Sequence, residues 1–100
     1  MAAITKALVR AAAGTSTATL YTVPASTTTV VTNIVVTNSA ASAATFTLTL
    51  NSVDIFTTTA IAANSTAMFD LKQVMATTQI IAGFASAVTV KFHISGVEIS

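Results

Sequence analysis

Side chains able to do acid–base, metal or nucleophile chemistry are scarce. The 100 residues contain one His, three acids, four Lys or Arg and no Cys. His93 would need partners to form a metal site or a triad. It lies between Lys91 and Ser95 on the polar side of an alternating segment, which makes it a solvent-facing or interface histidine. Asp54, Asp70 and Glu98 fall on three separate strand segments and read as surface carboxylates, not as the acid and base of a glycosidase. No Gly-x-Ser-x-Gly elbow occurs, and Gly14, Gly83 and Gly96 are too scattered for a phosphate loop. Asn64-Ser65-Thr66 matches a glycosylation acceptor but reads as a turn. Lys6 and Arg10 hold half of the positive charge. They are either an anchoring arm toward an acidic neighbour or a solvated strand face. No catalytic, cofactor-binding or metal-ligating residue is predicted, and no cofactor.

The composition narrows the function classes further. The chain is 53% hydrophobic and 7% charged, with net charge +1 and mean hydropathy +0.81. Thr and Ala each supply about one residue in five. Such a charge balance excludes an electrostatic nucleic-acid binder. Membrane partners are not expected either, because Thr, Ser or Asn interrupts every apolar stretch well short of the ~20 residues a spanning helix needs. Lys6 and Arg10 fall inside the only signal-like segment, Ala2 to Ala13, where a signal peptide would be apolar. The hydropathy comes from Ala and β-branched residues spread along the chain, which points to strands.

Thr45 to Leu50 alternates strictly, so Phe46, Leu48 and Leu50 line one face and three Thr the other. Asn51-Ser52 then turns the chain into a returning strand, Val53 to Phe56. Val88, Val90, Phe92 and Ile94 form a second stripe, opposed by Thr89, Lys91, His93 and Ser95. Ala67, Phe69 and Leu71 form a third, opposed by Met68 and Asp70. Further strands are expected at Thr19 to Val23, Thr28 to Asn38 and Gln79 to Ala85. Ile4 to Arg10 reads as strand or extended arm, since Thr5 and Val9 are poor helix residues. A single helical turn fits Leu71 to Met75.

About seven or eight short strands, spaced by small-residue turns, predict an all-β fold. It is a single antiparallel β-sandwich, jelly-roll-like or Ig-like. Residues 1–17 form an arm or first strand, and 18–100 the sandwich. The predicted core is Phe46, Leu48, Leu50, Phe69, Val88, Val90, Phe92 and Ile94.

This pattern leaves apolar surface over. Val31 and Val35 oppose Val30, Ile34 and Val36 by parity, so both faces of that strand are aliphatic, and Met68 points away from its stripe. Contiguous apolar surface marks protein contacts, and low net charge favours association. Val31, Val35, Met68, Lys6 and Arg10 are therefore the candidate interface residues of an assembly subunit.

Leu20-Tyr21-Thr22-Val23-Pro24-Ala25, followed by Val30 to Asn38, resembles the opening of small virion structural proteins of tailed bacteriophages and prophages. Ala43 to Leu48 looks like their second strand, Leu71 to Met75 their short connector, and Phe92 to Ile99 their closing strand. The resemblance spans residues 19–99. Family members often carry Gly after the Pro, where this chain has Ala25-Ser26. They also tend to have Gly-Asp before the penultimate strand, where it has Thr77-Thr78-Gln79. The resemblance implies a non-enzymatic capsid decoration, or cement, protein that binds and stabilises the assembled head shell. The expected partners are the major capsid protein and sister copies, in a homo-oligomer with a trimer favoured. The expected location is the capsid exterior, after assembly in the bacterial cytoplasm. The absence of cysteine fits that compartment. A tail, baseplate or fibre module, or a carbohydrate-binding sandwich for host adhesion, is the alternative.

Overall fold

A computed structural model describes residues 3–100. Over them the chain forms eight strands: β1 (Ala3–Ala12), β2 (Ala18–Thr22), β3 (Thr28–Asn38), β4 (Ala44–Leu50), β5 (Val53–Ile61), β6 (Ser65–Met75), β7 (Ile80–Ala85) and β8 (Val90–Ile99). Every ladder is antiparallel. The first strand pairs with the last, β2 with β7, β3 with β6, and β4 with β5. The chain is thus one long ribbon doubled back at the β4–β5 turn. Additional ladders, β3–β8 and β7–β4, gather the ribbon into two four-stranded sheets. Sheet A has the order β1-β8-β3-β6, and sheet B the order β2-β7-β4-β5. A doubled ribbon rolled into two facing sheets is a jelly roll, which decides against the Ig-like alternative.

The alternating Phe and Leu stripes form the interior as their parity requires. Phe46, Leu48, Val90, Phe92 and Ile94 are buried. Phe46 of sheet B meets Phe92 of sheet A at a centroid distance of 6.0 Å, Phe69 at 6.4 Å and Phe56 at 5.6 Å. Leu50 and Phe69 pack against this core from partly buried positions. Val88 does not belong to it. It is 64% exposed in the turn before β8, so the parity of that strand starts only at Val90.

Two bulges decide which valines are inside. β8 keeps a regular alternation, with Val90, Phe92, Ile94 and Gly96 inward. Both of its neighbours carry an extra residue at the level of Ser95 and Gly96. In β1 it is Leu8, between the pairs Ala7–Ser95 and Val9–Ile94, and Leu8 and Val9 are consequently both buried. In β3 it is Thr32, between Val31–Gly96 and Asn33–Ser95. An extra residue reverses the facing of everything beyond it. The inward set therefore runs Thr29, Val31, then Ile34 and Val36. Val31, expected on the outer face, is instead fully buried in the core, because the bulge at Thr32 turns it inward.

Other expectations shift as well. Leu71 to Met75 is not a helical turn but the end of β6, with Met75 buried under the sandwich. Ile4 to Arg10 is strand, paired with β8 throughout β1; Met1 and Ala2 of the 1–17 segment lie outside the described residues. The returning strand after Asn51-Ser52 extends to Ile61, with Thr58 at φ 42° and its N–H donating to the Thr47 hydroxyl at 3.0 Å. Ser26 and Thr78, in the turns that precede β3 and β7, also adopt positive φ, at 54° and 71°. That region is costly for a β-branched residue.

Two glycines are required for space. A Cβ on Gly83 would lie 2.6 Å from the Thr47 carbonyl oxygen and 2.7 Å from Leu48 Cδ2. One on Gly96 would overlap the Val30 carbonyl oxygen beside the β3 bulge. Backbone cannot step aside as a side-chain tip can. Gly83→Ala and Gly96→Ala should each destabilise the protein by about 1–3 kcal/mol, the usual cost of overpacking. Gly14→Ala, whose added methyl would meet nothing closer than 3.7 Å, serves as the near-neutral control in thermal unfolding.

Candidate functional site

The outer face of sheet A collects most of the side chains singled out above. Register places Arg10, His93, Val35 and Met68 side by side in one row running from β1 to β6. A second row holds Thr5, Val97, Val30 and Val74. Between them runs a polar row of Ala7, Ser95, Asn33 and Asp70, in which the Asn33 amide donates to Asp70 at 3.5 Å. Met68 and Val74, at the β6 end of the two rows, are 74% and 71% exposed. Burying such a side chain is worth roughly 1.5–3 kcal/mol, so this end of the face is the part most favoured to find a partner.

Toward β1 the same face is hollowed. The paired bulges at Leu8 and Thr32 leave a shallow open depression of about 370 Å³, lined among others by Thr5, Arg10, Thr32, Ser95 and Val97. Its rim offers a guanidinium and hydroxyls. The Thr32 hydroxyl already donates to the Ser95 carbonyl at 3.3 Å. No aromatic side chain lines the depression.

The predicted interface residues thus divide. Arg10, Val35 and Met68 share a row, whereas Val31 is inside and Lys6, which also lines the depression, turns its ammonium to Glu98. The β1 bulge separates the two cations: Arg10 pairs with outward His93, while Lys6 pairs with inward-side Gly96. The Lys6 ammonium lies 3.3 Å from Glu98 Oε1. Of the two cations, only Arg10 is left on the outer face to meet an acidic neighbour.

Glu98 belongs to a cluster that joins the two sheets. It continues the inward parity of Phe92, Ile94 and Gly96, and its side chain is only 13% exposed. Tyr21, from sheet B, donates its hydroxyl to Glu98 Oε2 and lies 2.9 Å from the hydroxyl of buried Thr29. Burial, and then the hydrogen bond to the carboxylate, push the Tyr21 phenol up to about 12. The same hydrogen bond, aided by Lys6, holds the Glu98 carboxyl below its ordinary range despite burial. Glu98 is therefore an inter-sheet anchor, not an ordinary surface carboxylate. The signal was its parity with the apolar stripe of β8.

At the opposite end Asn38 does comparable work. Its buried side-chain amide donates to the carbonyls of Ser42 at 3.0 Å and Ala62 at 3.3 Å, and its oxygen accepts from the Ala40 N–H and the Thr89 hydroxyl. Asp54 accepts from the nearby Thr57 hydroxyl at 2.9 Å. Among the described residues no three His, Cys, Asp or Glu side chains converge as metal ligands. These polar groups hold the roll together.

No family model, no curated protein and no solved structure matches the chain.

Proposed function

We propose that this chain is a non-enzymatic virion structural protein of a tailed bacteriophage that decorates the assembled head shell and reinforces it. The observation that carries the reading is the outer face of sheet A, where two side-chain rows end in Met68 and Val74, both largely exposed. A face of this kind suits contact with another protein surface better than solvent. The resemblance of residues 19–99 to phage virion proteins supports the reading. So does the rolled topology, an architecture used by viral coat domains as well as lectins and cupins. In this role the face would bury against neighbouring copies of the major capsid protein on the capsid exterior. Binding only the assembled shell then stabilises it by mass action.

Co-sedimentation with empty heads built from the major capsid protein of the same phage tests the proposal. Saturable binding at micromolar concentration, with a higher rupture temperature of the heads, is expected. Met68→Asp should weaken that binding at least tenfold without altering the protein's own unfolding. Heads that leave the protein in the supernatant, or localisation of the protein to the tail, would overturn it.

The depression beside Arg10 favours a second reading, a host-adhesion module that takes a sugar. Retention on a glycan array, abolished by Arg10→Ala, would support adhesion over decoration.

A further inference from the structure

We infer that two copies of this chain associate through β6, edge against edge, to make sheet A continuous across a two-fold axis at Leu71. This goes beyond the head-shell reading and does not depend on it. β6 pairs with β3 on one side only, so its other edge presents unpaired backbone N–H and C=O groups. Such an edge is a template for another strand. At 11 residues it is the longest of the four edge strands, the others being β1 at 10, β5 at 9 and β2 at 5.

The sequence of β6 is complementary to itself when it runs antiparallel about Leu71. Asp70 then stands opposite Lys72 of the second copy, and Lys72 opposite Asp70. Met68 and Val74 likewise exchange places, so the two largely exposed apolar side chains of this edge cover each other. The even-numbered residues from Thr66 to Val74 all face outward, so these pairs form on one surface. Directly opposed charges of unlike sign and apolar pairs stabilise a ladder, and like charges destabilise it.

The register is selective. Sliding by two residues brings Asp70 against Asp70, or Lys72 against Lys72. Sliding by one residue sets outward side chains against inward ones. The rival edges lack this complementarity. β1 carries Lys6 and Arg10 and no acid, β2 is short, and β5 has Asp54 with no cation to oppose it and two register breaks along its ladder, where β6 has one, at Leu71 and Lys72 opposite Thr32. A two-fold contact of this kind is closed and self-complementary. It predicts a dimer where the family resemblance implies a trimer.

Sedimentation of the full chain across micromolar concentrations is the test. A dimer of about twice the 10.1 kDa chain is expected. Asp70→Lys alone and Lys72→Asp alone each set like charges across the axis, and each should raise the dissociation constant at least tenfold. The double variant D70K/K72D restores opposite charges and should restore the dimer, which a mere folding defect would not do. A monomer at every concentration, a trimer, or a dimer indifferent to both single charge changes would overturn the inference.

Discussion

Phe46→Ala is expected to destabilise the protein by about 3–5 kcal/mol, the range for removing a buried phenylalanine. A domain of this size holds only about 5–15 kcal/mol in all. The variant should therefore lose much of its folded population near physiological temperature. Phe46 is 1% exposed and touches three other rings, those of Phe56, Phe69 and Phe92. Phe56 and Phe69 in turn approach each other at 4.5 Å. Offset and tilted ring pairs at these distances contribute beyond their buried area. Removing Phe46 deprives Phe92 of its partner across the sheets and leaves a hole that a two-layer sandwich closes poorly. Val88→Ala is the matching control, since Val88 is largely exposed and its truncation should stay within about 0.5 kcal/mol. Urea unfolding of both variants checks the pair. Equal midpoints would remove Phe46 from its central place.

The phenol of Tyr21 should titrate about a hundredfold less readily in the folded chain than in the unfolded one, its pKa rising from 10.0 to about 12. Tyr21 is the only tyrosine and the chain has no tryptophan, so phenolate absorbance reports this one site. Burial is the larger cause and the Glu98 carboxylate the second. Glu98→Gln should accordingly bring the midpoint only part of the way back toward 10. Because the folded phenol holds its proton more tightly, its contribution to stability is complete below pH 10 and lost as pH rises toward 12. Tyr21 is partly exposed, so that contribution is about 1–2 kcal/mol once solvent screening is allowed for. Glu98 acts in the opposite direction. Its folded carboxyl lies below the ordinary 4.5, so its contribution is present above that value and fades as pH falls through the depressed one. Tyr21→Phe should flatten both limbs of the stability profile. A wild-type titration centred at 10 in both buffer and urea would contradict the cluster.

What was legible in the chain was its local periodicity. Thr45 to Leu50 and Val90 to Ile94 each announce a strand and its inner face, because a period of two leaves no other arrangement for their large side chains. Thr28 to Asn38 was different. Its aliphatic residues occupy both parities, so the reversal at Thr32 leaves no trace in the pattern, and alternation alone puts Val31 on the wrong side. The bulge depends on what β8 and β6 present across the ladder, which is tertiary information. Glu98 was legible in principle, since it extends the stripe of Phe92 and Ile94 by two steps. Its partner Tyr21 was not, because nothing local tells a residue of β2 that it will face the end of β8. The juxtaposition of Arg10, Val35 and Met68 in one row likewise needed the strand order.

The nesting of strands has a consequence for how the protein is made. Ala3 pairs with Ile99, and each ladder outside the β4–β5 hairpin joins segments further apart in the chain. Contacts of such long sequence separation form slowly, because the loop must close before any contact rewards it. The β4–β5 hairpin can form as soon as residue 61 has cleared the ribosome, and β3 can join β6 soon afterwards. β1 finds its only neighbour when β8 emerges, and β2 when β7 does. The strands β1 and β2 thus wait with unpaired backbone, their charges confined to Lys6 and Arg10, while most of the chain is synthesised. During that interval the nascent chain is open to pairing with strands that are not its own, a hazard common to folds closed by their last strand.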